Sequence, residues 1–161
     1  MKRITSLLIF TLISNVYILR AQTNAEFGVK GGLNLTFFKV NQGNFGTNPE
    51  TDTGFYGGFF TYFNIEDNFS IQPEILYIML NDFNFINAPI YAKYKVGNNF
   101  NLLVGPSLNY FFDFFSNKFK VRGDIATSYQ ISESLDIHIK YTIGFQEITP
   151  NGLFLGVGLK L

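Results

Sequence analysis

Apolar and polar residues alternate with a period of two along residues 26–40, EFGVKGGLNLTFFKV. Apolar side chains such as Phe27, Val29 and Leu33 occupy the odd positions, whereas polar or small residues such as Lys30 occupy the even ones. This alternation places one face of an extended strand in an apolar environment and the other against water or a polar interior. Because a strand rises by about 3.4 Å per residue, the stretch is long enough to cross a tilted path through a hydrocarbon layer. The pattern therefore predicts one strand of a membrane β-barrel.

Seven further stretches continue this pattern, although aromatic rings occupy both faces of the second strand. Three short turns alternate with four longer polar connections, one of them at residues 41–52, as in outer-membrane barrels with short periplasmic turns. The sequence predicts an all-β, antiparallel up-and-down transmembrane β-barrel of about eight strands, with both termini in the periplasm. The predicted strands are residues 26–40, 54–65, 69–79, 85–96, 100–112, 119–131, 135–145 and 152–161.

The first 21 residues have the layout of a secretory signal peptide. Lys2 and Arg3 precede an apolar run that ends close to Ala21, a small residue suited to cleavage. The alternative is a single membrane-spanning anchor, but the run is short and contains several polar residues. We therefore predict a signal peptide at residues 1–21 and an outer-membrane β-barrel domain at residues 22–161.

The amino-acid composition supports the strands of a membrane β-barrel and excludes some classes of partner and of site. The chain contains 20 Phe, 9 Tyr and 15 Gly, while charged residues make up only 15%. Aromatic residues and glycine are typical of barrel strands. A formal net charge of zero predicts no nucleic-acid partner, because phosphates would meet no attractive field. The absence of Cys excludes a disulfide framework and a thiolate metal site.

Six segments in the order FGVKGGLNLT, GFYGGFFTYFNI, FSIQPEILY, INAPIYAKYKV, LLVGPSLNYFFD and IKYTIGF span most of residues 22–161. Together they resemble the outer-membrane β-barrel family of Bacteroidota that is often labelled PorT-family or outer membrane beta-barrel domain. The resemblance implies an integral barrel in the outer membrane of a Gram-negative cell, and it links a few members to a secretion machine. The chain departs from the family in its short connections and in ending on Leu161, where an aromatic ring is more usual.

Pro73, Pro89 and Pro106 fall inside predicted strands three, four and five. Each proline removes a hydrogen-bond donor from the ladder, and a closed barrel offers no free edge where that loss is harmless. We interpret the prolines as β-bulges or as positions beyond the hydrocarbon layer. A mistaken strand assignment is the alternative.

Twelve ionisable residues share the face opposite the apolar one. Lys or Arg facing lipid at the midplane would cost about 2 to 4 kcal/mol each, so a common inward face is expected. Because side chains just fill an eight-stranded barrel, we predict an ionic plug, with Gly28, Gly32 and Gly58 giving room to larger neighbours. A selective ion pathway is the alternative. The twelve residues are Glu26, Lys30, Glu74, Lys93, Lys95, Lys120, Arg122, Asp124, Asp136, His138, Lys140 and Lys160.

His138 is the single histidine, so a metal site with several histidines is excluded. Asp136 shares its face and could form part of a catalytic triad, but the sequence places no serine beside the pair. We therefore expect His138 to belong to the internal network. We assign no catalytic, cofactor-binding or metal-binding residue and predict no cofactor.

Aromatic residues near the strand ends predict interfacial girdles. The alternative for residues 111–115 is a rim that contacts a ligand. The girdle residues are Phe100, Tyr110, Phe111, Phe112, Phe114, Phe115 and Phe145.

The sequence favours a monomeric, non-enzymatic barrel with a structural, surface-interaction or envelope and secretion-accessory role. Its expected partners are outer-membrane lipid, the barrel-assembly machinery during insertion, and an envelope or secretion-complex protein, with residues 41–52 as a contact surface. The alternatives are an outer-membrane lipid-modifying enzyme and a soluble periplasmic, lipocalin-like carrier of a hydrophobic ligand.

Overall fold

The computed structural model describes residues 25–41, 47–81, 83–112, 116–145 and 150–161. The predicted signal peptide at residues 1–21 lies outside them. The described residues form a closed barrel in which each strand pairs antiparallel with its neighbours in sequence and β1 pairs with β8, which confirms the predicted fold class. The strands are β1 (Ala25–Asn41), β2 (Thr47–Glu66), β3 (Phe69–Met79), β4 (Asn84–Val96), β5 (Phe100–Phe111), β6 (Phe119–Gln130), β7 (Leu135–Gly144) and β8 (Asn151–Lys160).

In these ranges, no helix has the length and apolar character needed to cross a membrane.

The two ends of the barrel differ in their connections. Residues 67–68, 97–99 and 131–134 connect strands at one end, where β1 begins and β8 ends. We call this the turn end. The opposite end carries the β1–β2, β3–β4, β5–β6 and β7–β8 connections, and we call it the loop end.

The outer surface of the wall is apolar on every strand. Phe59 on β2, Ile75 on β3 and Val121 on β6 are among the exposed large apolar side chains, and their neighbours in sequence point inward. This is the period of two predicted from the sequence, and it holds even on β2, where Tyr56 and Phe60 are buried inside the barrel. An apolar outer face of this kind suits hydrocarbon rather than water.

The prediction of a loop at residues 41–52 is wrong for most of these residues. The β1–β2 ladder continues as far as the pair Asn41 and Thr47. In the described ranges, β1 pairs with β8 no further than Phe37, so the end of the β1–β2 hairpin extends beyond the wall. The sequence hides this extension because a hairpin outside the hydrocarbon is held by backbone hydrogen bonds and needs no apolar face.

The interpretation of the prolines as bulges is also wrong, whereas their position relative to the hydrocarbon layer stays a prediction. Pro73 pairs with Ile90, and the β3–β4 ladder resumes at Leu76 and Asn87 with the same offset. A proline has an extended backbone compatible with a strand, so each ring costs ladder bonds locally without inserting a residue. Register is likewise kept at the other two prolines, Pro89 and Pro106. The register shift that the ladders do show lies between Asn64 and Glu66.

Glycine lets neighbouring backbones approach closely in the wall. A Cβ at Gly58 would overlap the carbonyl oxygen of Ile75 on β3, and one at Gly32 would overlap the carbonyl oxygen of Leu155 on β8. At Gly28 a Cβ would overlap both the ring of Phe60 and the carbonyl oxygen of Leu159 on β8. The prediction of room for a larger neighbour is therefore confirmed at Gly28, whereas at Gly32 and Gly58 the close neighbours are backbone atoms.

The interior contains one large apolar cluster among polar side chains. This cluster, which we call the aromatic cluster, lies toward the loop end, and the buried ion pairs lie in the middle of the barrel. Buried Asn34, Thr36 and Asp52 place polar groups toward the loop end as well. The aromatic cluster consists of Tyr56, Leu76, Ile78, Leu80, Phe83, Phe85, Phe111 and Phe154.

Candidate functional site

An ion pair between β1 and β3 lies inside the barrel. The ammonium of Lys30 is 2.5 Å from Oε1 of Glu74, and the two side chains are 8% and 1% exposed. Gln72 donates a second hydrogen bond of 2.7 Å to the same oxygen. Because a buried charge needs a partner, this contact fits the predicted ionic plug.

Asp124 on β6 accepts hydrogen bonds from side chains on two other strands in the middle of the barrel. It accepts bonds from the Tyr91 hydroxyl at 3.0 Å and from Ser107 Oγ at 2.8 Å. The ammonium of Lys140 lies 3.7 Å away and donates to Asn87 Oδ1 at 2.6 Å. These bonds join strands β4, β5, β6 and β7 through one buried carboxylate.

Arg122 separates the polar layer from the aromatic cluster. Its side chain is fully buried, and its guanidinium donates to Asn109 Oδ1 at 2.5 Å and to the carbonyl oxygen of Pro150 at 3.0 Å. The same group lies 5.0 Å from the ring centroid of Phe85 and 5.6 Å from that of Phe111. A planar cation beside a pair of stacked rings suits a desolvated position. The barrel is therefore filled across its section near the loop end.

Phe111 corrects part of the girdle prediction. Its ring is 0% exposed and packs against Phe85 with a centroid distance of 4.7 Å, so it belongs to the interior. Phe100 and Phe145 point outward as a girdle requires. Phe114 and Phe115 lie outside the described residues, so the girdle prediction and its rim alternative are not decided there.

His138 lies in the predicted internal network, toward the turn end. Its Nε2 is joined to the Tyr56 hydroxyl by a hydrogen bond of 2.6 Å, and its Nδ1 lies 3.2 Å from Asp136 Oδ1. Contrary to the sequence analysis, a serine does stand beside it, since Ser128 on β6 is the register partner of His138. Both ring nitrogens are nevertheless engaged by Tyr56 and Asp136, and the histidine side chain is only 6% exposed.

Replacing His138 with alanine is expected to lower the free energy of unfolding by about 1–3 kcal/mol, because the buried Tyr56 hydroxyl loses its partner. Urea unfolding in detergent micelles measures the change, with exposed Ser116→Ala as the control. The lipid composition of cells that carry His138→Ala should equal that of wild-type cells. A missing lipid product would instead support the lipid-modifying enzyme.

A cavity of about 210 Å³ opens at the turn end, and we call it the turn-end cavity. Lys93, Ser128 and Asp136 form part of its lining and also line a smaller cavity of about 20 Å³ deeper inside. Two groups on its wall are already paired, because Lys160 forms an ion pair with Glu26. Lys95, predicted to belong to the plug, is exposed at this end. The polar interior is therefore open at the turn end and filled at the loop end.

No three side chains of His, Cys, Asp or Glu in the described ranges are grouped so that they could hold a metal ion.

Sequence reasoning missed the partners of several inward residues. Tyr56 was hidden because β2 carries rings on both faces, although an inward tyrosine needs a partner for its hydroxyl. Alternation places Asn87 and Asn109 on the inward face, but the hydrogen bond of 2.8 Å between them follows from the β4–β5 register. A prediction of the β4–β5 register would have found this pair of asparagines.

Comparisons with known proteins agree with this architecture. A family model described as outer membrane protein beta-barrel domain matches residues 20–81. No curated protein sequence matches the chain.

Solved structures resemble the fold at low sequence identity. Ail, the attachment invasion locus protein of Yersinia pestis, has a TM-score of 0.55 at 11% identity, covering 85% of this chain and 99% of Ail. Neisserial surface protein A has a TM-score of 0.53 at 15% identity, covering 86% and 98%. A de novo designed transmembrane β-barrel has a TM-score of 0.53 at 15% identity, covering 83% and 96%. The match over residues 20–81 and the shared fold together support an outer-membrane β-barrel protein.

Proposed function

We propose that this chain is an integral outer-membrane protein whose filled barrel has a structural, surface-interaction or envelope and secretion-accessory role. The observation that carries the proposal is the combination of an apolar outer wall with a polar interior that is filled near the loop end. The buried Arg122, which packs beside the stacked rings of Phe85 and Phe111, supports a closed barrel rather than a selective ion pathway. No observation in the described residues favours an enzyme.

The topology supports an orientation with the turn end in the periplasm. Short turns face the periplasm in outer-membrane barrels, and here they share one end with Ala25 and Leu161. We therefore propose that residues 1–21 direct export, that the barrel-assembly machinery inserts the chain, and that the folded barrel is a monomer surrounded by outer-membrane lipid.

The proposed surface contacts lie at the loop end. There the β1–β2 hairpin extends beyond the wall, and Asn81 donates a hydrogen bond of 2.8 Å to Asp52 between the hairpin and the β3–β4 connection. An envelope or secretion-complex protein is the proposed partner. The six segments similar to PorT-family barrels of Bacteroidota support this choice, and three of them lie within the residues matched by the family model.

The carrier alternative requires an apolar cavity for its ligand. The two interior cavities are instead lined largely by charged and hydroxyl-bearing side chains. The largest apolar surface faces outward. This arrangement supports a lipid environment around the barrel rather than a hydrophobic ligand within it.

The membrane proposal predicts that the protein is recovered in the outer-membrane fraction and changes gel mobility on boiling. A closed barrel resists dodecyl sulfate until heated, because its backbone hydrogen bonds are all internal. Boiled and unboiled samples of the same extract are the comparison, and a soluble periplasmic protein is the fractionation control. Recovery in the soluble periplasmic fraction, with no mobility shift, would contradict the proposal and support the carrier.

A further inference from the structure

Lys93 is an interior cation without a direct ion pair in the part of the chain that the structure describes. Its ammonium lies 4.5 Å from the ring centroid of Tyr62 on the wall of the turn-end cavity. The carboxylate of Asp136 interacts with it electrostatically, but the described residues show no hydrogen bond or ion pair to this ammonium. Three other interior lysines differ in this respect, since Lys30, Lys140 and Lys160 each contact a carboxylate or amide oxygen. Lys93 thus has three free donors directed at an open cavity.

The surroundings of Lys93 favour an anionic group at the floor of the cavity. Asp136 is the nearby carboxylate on the wall, and its Oδ1 is engaged by His138. Buried Ser70 and Asn101 lie on the two strands that flank β4 and supply neutral polar groups. A carboxylate bound here would accept hydrogen bonds from the ammonium, and a charge-assisted bond of this kind is about twice as strong as a neutral one.

The mouth of the cavity has the opposite charge. Glu66 and Asp67 lie at the β2–β3 turn, and Glu133 lies across the mouth at the β6–β7 turn. All three are exposed. Carboxylates on both sides of an opening attract cations from solution, although salt weakens the attraction. Exposed Lys95 also lines the cavity, so acidic side chains outnumber basic ones at the mouth, whereas the ammonium of Lys93 lies deeper inside.

We propose that the turn-end cavity binds the C-terminal end of a peptide, with the α-carboxylate at Lys93 and a basic side chain at the acidic mouth. The volume of about 210 Å³ is smaller than the roughly 300–1,000 Å³ of pockets for drug-sized ligands, so it suits a few residues at a chain end. A small free carboxylate would bind at Lys93 in the same way, but it has no basic group to contact the acidic mouth. The inference goes beyond the proposed function. It can also be tested separately, because peptide binding to the barrel is measurable in detergent, whichever membrane holds the barrel in the cell.

The test uses the full barrel refolded in detergent, with calorimetry and acetyl-alanyl-lysyl-alanine as the probe. The free acid should bind at least 10-fold more tightly than the same peptide with an amidated C-terminus. Lys93→Met should lower affinity at least 10-fold, whereas Lys118→Met, at the exposed loop end, should leave it unchanged. Glu133→Gln should weaken binding of this peptide more than binding of acetyl-trialanine.

The outcomes that would overturn the inference are distinct. Equal binding of acid and amide by the wild-type barrel would remove the carboxylate site, even if Lys93→Met failed to fold. Full affinity in a folded Lys93→Met barrel, checked by heat-modifiable mobility, would remove Lys93 as the binding group. Acetate that binds as tightly as the peptide would show a site for small carboxylates and contradict the peptide assignment. None of these results depends on where the barrel is located in the cell.

Discussion

Replacing Glu74 with leucine is expected to lower the free energy of unfolding by about 3 to 5 kcal/mol, because a buried ammonium loses its carboxylate. Lys30 and Glu74 are 8% and 1% exposed, so water cannot replace the missing partner at little cost. Gln72 loses the acceptor of its hydrogen bond at the same time. Urea unfolding in detergent micelles, followed by tyrosine fluorescence and by heat-modifiable mobility, measures the loss.

The double variant Lys30→Met/Glu74→Leu should recover much of this stability, since apolar replacements of a buried pair are often tolerated. Glu26→Leu provides the matched control. It removes the carboxylate from the Lys160 pair, whose side chains are 30% and 35% exposed at the turn end. A partly exposed pair of this kind contributes about 0 to 1 kcal/mol, and the hydrogen bond that Tyr62 donates to Glu26 adds about 1 kcal/mol, so the loss should stay well below that of Glu74→Leu. Equal losses in Glu74→Leu and Glu26→Leu would show that burial does not decide the energy of these pairs.

Two adjacent glycines on β2 should differ strongly in how much stability they lose on replacement by alanine. Gly58→Ala is expected to cost about 3 kcal/mol, at the upper end for overpacking, because the new Cβ would overlap backbone atoms of Ile75 and Leu76. A flexible side chain could move aside, but here the strand β3 itself would have to shift. Gly57→Ala should be nearly neutral, since its Cβ would have Lys30 O at 3.9 Å as its nearest neighbour.

The yield of heat-modifiable barrel after refolding and the urea midpoint distinguish the two glycine variants. Both add one methyl group to the same strand, so they share any general effect of alanine on β2. A stable, fully folded Gly58→Ala barrel would show that β2 and β3 can separate locally. In that case the close approach of the two strands would not restrict the wall.

The faces of the strands could be predicted from the sequence because a strand alternates its side chains regardless of its neighbours. Alternation predicts that Glu74 faces inward and that its neighbour Ile75 faces outward, and the structure has Glu74 buried and Ile75 exposed. The N-terminal part of β2 could not be predicted in the same way. Residues 47–53 lie beyond the part of β2 that pairs with β3, where no lipid imposes an apolar face.

Contacts across the barrel were harder to predict than faces. The hydrogen bond between Tyr56 on β2 and His138 on β7 joins residues far apart in sequence, and no local pattern encodes it. Ser128 was missed beside His138 because their proximity follows from the β6–β7 register. Prediction of the turn-end cavity requires the same information. Charge type and face suggested an ionic interior, whereas the particular partners depend on how eight strands are staggered.

The β1–β8 ladder sets the order in which the barrel can be assembled. All other ladders join strands that are consecutive in the chain, whereas this one brings Val29 opposite Leu159. Contacts between distant residues carry a larger loop-closure entropy and form later than local hairpins. A nascent chain that lacks β8 therefore remains an open sheet with two free edges, and such edges favour pairing with other chains. Pairing of β8 with β1 is consequently the step that converts an association-prone open sheet into a closed barrel without free edges.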